Sequence, residues 1–253
     1  MILIATGMKR EAKRLARDGV SVVVGGGDER RLEAELETGV TAGAEAILSM
    51  GLAGGLAPLL APGDWVVGTL SPTGMERREW SVGAGKTRPP ERRADPRPTA
   101  RKEASREWIN RLAGLLPGAV VGRIHADGAM IVTAKQKEEL HFTTRALACD
   151  MESHVAARVA ERHHLPFAVA RVIADTADRD LPLAARAAMR PDGGISGGAM
   201  ALALARKPWE IPALIALAID SGRAMKALLR GYDMLAGGGF GLADARQFPL
   251  DMG

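Results

Sequence analysis

Two short acidic clusters hold the residues best suited to chemistry: Cys149-Asp150-Met151-Glu152-Ser153 and Ala174-Asp175-Thr176-Ala177-Asp178. A helical run (Val155 to Ala160) follows Glu152. Pro166 ends that helix, and Phe167 to Ala174, with Val169, Val172 and Ile173, reads as a buried strand. Asp175 then lies at the carboxyl end of a strand, where open α/β sheets place their ligand crevice. A carboxyl group there can bind a sugar hydroxyl, or act as a general acid with a raised pKa. The same acids could instead cap helices, because Asp and Ser favour that position.

Three glycine-bearing strand ends, at Gly7, Gly25 to Gly27 and Gly51 to Gly55, can turn backbone N–H groups toward an anion. None matches the dinucleotide fingerprint or the phosphate loop that ends in Lys and Ser/Thr, so nucleotide hydrolysis and dinucleotide binding are poorly supported. His163 and His164 diverge on one helix, and His125, His141 and His154 lack ligand spacing, so no metal site is expected. No cofactor is expected either.

Positioning these groups requires alternating strands and helices. The pattern predicts strands over 2–5, 20–24, 46–50, 65–68, 120–125 and 167–174. It predicts helices after Gly7 (with Glu11 and Leu15) and over 30–36, 101–116, 133–140 and 211–235. The runs at Gly51–Leu56 and Pro62–Asp64 read as turns, and Gly193-Gly194 with Gly197-Gly198 as a flexible break. No fixed-period repeat is present. The fold class is therefore α/β: a single domain, residues 1–253, with a mixed, mostly parallel twisted sheet flanked by helices.

Nearly half of the 253 residues are hydrophobic, enough for a sizeable core, but aromatics make up only 4%, which argues against nucleic-acid stacking platforms. The lone Cys149 rules out an internal disulfide and fits a reducing compartment. The amino terminus has no basic flank, and no segment supplies about 20 uninterrupted apolar residues, so a cytoplasmic protein is expected. Net charge is +4, unevenly placed: ten Lys or Arg residues fall between Arg77 and Arg106. With Pro89-Pro90, Pro96 and Pro98 nearby, this stretch, about 75–105, reads as a mobile, solvated basic loop, although such a patch could also face anionic lipid or phosphate.

Taken together, these pieces resemble the purine nucleoside phosphorylase and methylthioadenosine/adenosylhomocysteine nucleosidase superfamily. Gly51-Leu52-Ala53-Gly54-Gly55-Leu56-Ala57-Pro58 with Pro62-Gly63-Asp64-Trp65-Val66-Val67 is similar to its glycine turn and following strand. Asp150-Met151-Glu152 resembles its sugar-binding segment, Asp175-Thr176-Ala177-Asp178 its catalytic loop, and Thr6-Gly7-Met8-Lys9-Arg10-Glu11 the first loop of its nucleosidase branch. Within the superfamily the chain most resembles the hopanoid-associated phosphorylases, which act on adenosylhopane. The resemblance implies N-glycosidic cleavage of an adenine nucleoside, with a methylthioadenosine/adenosylhomocysteine nucleosidase as the alternative enzyme and a non-catalytic nucleoside- or lipid-binding module as the alternative of another class.

Carried over residue by residue, the resemblance makes Asp175 the acid that protonates the leaving base and Glu11 the carboxylate that activates water. It makes Glu152 the acceptor of the ribose hydroxyls, Met151 a packing contact to the sugar, and Gly51 and Ile131 substrate-binding positions. Leu52 and Ser49 stand where phosphorylases usually carry a hydroxyl residue and an Arg, which weakens the usual phosphate site. Gly7, Arg10, Gly26 and Arg30 could replace it, with phosphate as a co-substrate; phosphate and water both remain open as the attacking group. The connection from Lys13 to Val24 is short, leaving room for a bulky 5′ substituent. The resemblance also implies a homo-oligomer. A lipid-linked substrate would call for weak peripheral membrane contact, through the basic stretch or through the helix over 211–235, whose apolar face could equally pack on the sheet.

Overall fold

Ile2, Leu3, Ile4 and Ala5 are all buried, a run without polar alternation that suits a strand covered on both faces. The computed structural model describes residues 1–17, 19–71, 97–190 and 192–242, with the side chains of 97–101 excepted. Seven strands form one sheet: β1 (Ile2–Thr6), β2 (Val20–Val24), β3 (Ala46–Gly55), β4 (Trp65–Leu70), β5 (Val120–Ala126), β6 (Ala146–Asp150) and β7 (Phe167–Asp175). The helices are α1 (Lys9–Leu15), α2 (Glu29–Thr41), α3 (Arg97–Leu115), α4 (Ala134–Thr144), α5 (Ser153–Arg162), α6 (Leu183–Ala188), α7 (Gly197–Arg206) and α8 (Ile211–Gly237). The α/β fold with a mixed, mostly parallel sheet is the one expected.

The long strand β3 organises the sheet. Its first half lies between β1 and β7, both parallel to it. Its end also meets β6 in antiparallel fashion, through Gly54 opposite Cys149 and Gly55 opposite Ala148. Since β7 pairs with β4, β4 with β5 and β5 with β6, the five strands β3-β7-β4-β5-β6 close on themselves, while β1 and β2 extend the sheet to one side. Ala53, Val66, Ile124, Ala148, Val169 and Ile173 gather from all five closing strands into one apolar cluster. Outside it, Ile2, Ile4, Leu48 and Trp65 pack against Leu112 of α3 and Leu228 and Tyr232 of α8, and Leu3, Ala5 and Ile47 pack against Leu36 of α2 and Val159 of α5.

Several expectations need correction. Gly51–Gly55 is not a turn but the second half of β3, because it is paired on both sides where the sheet closes. The strand β6 was missed; with only five residues, the last two inside the acidic cluster, it is too short for periodicity to reveal. The break around Gly197-Gly198 is a helix, α7, whose N-terminus is capped by Ser196 accepting from the Ala199 N–H. The basic stretch is not a loop throughout: residues 97–106 open α3, where Pro98 falls in the first turn and removes no intrahelical bond. Positions 75–96 lie outside the described residues. Among the described residues, no helix is long and apolar enough to cross a membrane.

Candidate active site

The carboxyl ends of β1, β3, β6 and β7 converge on a cavity of about 960 Å³ that also takes its walls from α1, α6, α7 and α8. Glu11, Met151, Glu152, Asp175, Ile131, Gly7, Gly26 and Arg10 all line it. Two expected residues do not. Arg30 sits on the exposed first turn of α2, away from the lining. Gly51 is buried within β3, where a Cβ would come 2.8 Å from Arg171 Nη1 and 3.1 Å from Glu11 Oε2, so the glycine makes room for those side chains.

Glu11 is buried and fixed by three donors. Its Oε2 accepts from the Thr6 hydroxyl and from the Met8 N–H at 2.9 Å, and its Oε1 from the Leu52 N–H at 3.0 Å. A short helix thus presents one acid from its first turn at a set angle. Thr6 comes from the end of β1 and Leu52 from the middle of β3, so two strands hold it in place.

Opposite Glu11, on β7, lies Arg171, whose side chain is fully buried. Its Nε donates to Asp150 Oδ2 at 3.0 Å, and its Nη2 to the hydroxyls of Ser49 (2.6 Å) and Ser153 (3.2 Å). Nη1 has no protein partner among the described residues. An unpaired guanidinium N–H in a buried site is costly unless a ligand satisfies it. Asp150 also accepts from the backbone N–H groups of Glu152 and Ser153, at 2.9 and 2.8 Å, and so caps the start of α5. The capping alternative therefore holds for Asp150, and not for its neighbour.

Glu152 points the other way, into the space left by two glycines. A Cβ on Gly7 would fall 2.9 Å from its Oε1, and one on Gly25 would fall 2.6 Å from its Cγ. Burial pushes its pKa up to about 7, with Asp150 and Glu11 adding to the rise and Arg171, 3.8 Å away, opposing it. Asp175 is also raised by burial, against the pull of Lys137, whose Nζ donates to Oδ2 at 2.5 Å. Asp178, by contrast, is exposed and its carboxyl is held low, chiefly by the neighbouring Thr176 side chain.

Arg171 and Lys137 were missed by the sequence reading. Arg171 is the one charged residue inside the apolar run Phe167 to Ala174, a signal that was available. Lys137 precedes Leu140 and His141 by three and four positions, on the face of α4 that turns inward, and was less legible. Among the described residues no group of His, Cys, Asp or Glu is placed to hold a metal ion.

A model of the phosphorylase superfamily matches residues 15–203. Among solved structures, the Streptococcus pneumoniae methylthioadenosine/adenosylhomocysteine nucleosidase in complex with 8-aminoadenine superposes with a TM-score of 0.56 at 16% identity, over 92% of this chain and 98% of that one. The same enzyme with a transition-state inhibitor gives 0.54 at 18%, over 92% and 99%. The adenosylhomocysteine nucleosidase of Streptococcus pyogenes, bound to 5-methylthiotubericidin, gives 0.53 at 18%, over 92% and 95%. Comparison with curated protein sequences returns no match.

Proposed function

The chain belongs to the phosphorylase superfamily, enzymes of the nucleoside phosphorylase and nucleosidase type, and from that premise we propose that it cleaves the N-glycosidic bond of an adenine nucleoside. The observation behind this reading is the convergence of Glu11, Glu152 and Asp175 from three elements on one cavity. Asp175, whose carboxyl burial pushes toward the protonated form, gives its proton to the leaving base, which makes adenine a tolerable leaving group as the sugar gains oxocarbenium character. Glu152 accepts hydrogen bonds from the ribose hydroxyls, charge-assisted once it is ionised. Glu11, held at the cavity wall by Thr6, Met8 and Leu52, receives the proton of the attacking group.

Water fits that place better than phosphate. Three carboxyl groups (Glu11, Asp150 and Glu152) surround a single buried cation, a balance that disfavours a dianion. Phosphorolysis remains the second reading because Arg10 and Arg14 line the outer cavity. For the substrate, the cavity is at the upper end of the range for small-molecule sites, about 300–1,000 Å³. Met189, Ile195, Met200, Leu214, Leu217 and Met225 give its wall a large apolar share, beside Arg186, Arg190 and Lys226. That favours a nucleoside with a large apolar 5′ group, adenosylhopane, over methylthioadenosine. A peripheral membrane contact and a homo-oligomer belong to the same proposal. Incubating the protein with 5′-alkylated adenosines, with and without phosphate, tests it: free adenine and a free sugar at an unchanged rate support hydrolysis, and a sugar phosphate supports phosphorolysis. Asp175→Asn should lower the rate by about two to four orders of magnitude. No adenine from any substrate would leave a non-catalytic binding module.

A further inference from the structure

Lys137 is a charged side chain with no measurable exposure, and the reaction outlined above makes no use of it. It enters from the first turn of α4, whose start is fixed by Thr133 and Gln136 capping each other. Its Nζ donates to Asp175 Oδ2 at 2.5 Å, to the Thr176 carbonyl at 2.7 Å and to the Arg179 carbonyl at 2.9 Å. All three ammonium hydrogens are used, so the geometry is over-determined. One carboxyl oxygen of Asp175 is thereby occupied. Among the described residues no protein donor reaches the other, Oδ1, while Asp175 lines the cavity.

We propose that Lys137 is a positioning residue: it grips Asp175 by Oδ2, leaves Oδ1 to meet the base, and through its charge sets how readily Asp175 gives up a proton. This rests on the reading of Asp175 as general acid. A buried carboxylic acid alone would hold its proton too firmly to donate it well, and burial does drive Asp175 in that direction, with Lys137 opposing. The other titratable or charged groups near Asp175 are Cys149 and Asp150 on β6, Asp178, Arg179 and Asp180 in its own loop, and Asp220 on α8; Asp180 is taken up by the Ala134 N–H at the start of α4. Arg179 is engaged by Asp220 at 2.9 Å, and the Cys149 thiol is driven up by burial, so Lys137 is the cation that acts directly on Asp175.

The competing view is that Lys137 only staples the loop through the two carbonyls. Lys137→Gln, which keeps hydrogen-bond donors without charge, and Lys137→Met, which keeps neither, separate the two. The pH profile of adenine release should show its alkaline limb, set by loss of the Asp175 proton, moving up by about 1–3 pH units in both variants, since an opposite charge nearby lowers a carboxyl pKa by that much. The kcat should fall about ten- to a hundredfold with KM little changed. A second readout does not need turnover: the carboxyl carbon resonance of Asp175, assigned by its loss in Asp175→Asn, should titrate at higher pH in Lys137→Gln than in the unaltered protein. An unmoved midpoint, or a Gln variant with the original profile, overturns the proposal. A midpoint that moves up in a protein releasing no adenine would retain the Lys137–Asp175 coupling and discard the enzymatic reading instead.

Discussion

At the scale of single residues, Glu152 makes a prediction whose sign can be worked out. Its pKa in the folded protein, about 7, lies above the ordinary carboxylate value, so between roughly pH 4.5 and 7 the native state holds a proton that the unfolded chain has released. Stability contributed by this group therefore declines as pH rises through that window. Ribose binding runs the opposite way, because the ionised form is the better acceptor. The KM for a nucleoside should fall as pH climbs from 6 to 8, and a Glu152→Gln variant should lose that dependence while becoming less sensitive in its melting temperature over the same range. A KM that ignores pH in the unaltered protein would mean that Glu152 does not meet the sugar in its charged form. Arg171 sets the boundary condition: it is near enough to moderate Glu152 at 3.8 Å, but its strongest bonds go to Asp150 and Ser49.

At the scale of elements, the site depends on close approaches that only certain residues permit. A Cβ at Gly25 would meet Glu152 Cγ at 2.6 Å and Leu32 Cδ2 at 3.1 Å, so strand end, helix and acid are packed against one another. Gly25→Ala should cost about 1–3 kcal/mol in stability through overpacking and raise KM by displacing Glu152, both visible in a thermal melt and a steady-state assay. Much of this element plan was legible. The strands β1, β2, β4, β5 and β7 and the long α8 follow from apolar runs bounded by Gly and Pro, and Asp175 lies at the end of β7 as its position in the sequence implied. What escaped reading has a common physical origin. β6, the second half of β3 and the burial of Lys137 and Arg171 are set by where the sheet closes on itself, and closure is a relation between distant segments that no local pattern encodes. Arg30 lies outside the cavity lining for the same reason: proximity to Gly25–Gly27 along the chain does not by itself place a side chain in the crevice.

At the scale of the whole molecule, the cavity opens between α1, α6, α7 and α8, and its surroundings carry an exposed apolar stripe. Ile211, Ile215 and Ile219 follow one another at intervals of four along α8, beside the face whose Leu214, Leu217 and Ala218 line the cavity, and Met189 and Ile195 are both exposed and part of the lining. Vesicles with anionic lipid should sediment with the protein at low salt and release it at high salt, and Ile215→Glu with Ile219→Glu should weaken this at least tenfold. Retention of binding in that double variant would shift the contact to another face. The closed sheet also has a bearing on how the protein comes into being. Ile47 can find Phe167, and Gly54 can find Cys149, only after most of the chain has left the ribosome. The amino-terminal third, which supplies Glu11 and the long strand, must therefore wait with β3 half paired. Contacts so remote in sequence make folding slow and leave an apolar edge exposed meanwhile. The ability to hold a nucleoside is then acquired late and all at once, when β7 arrives and brings Arg171 and Asp175 with it.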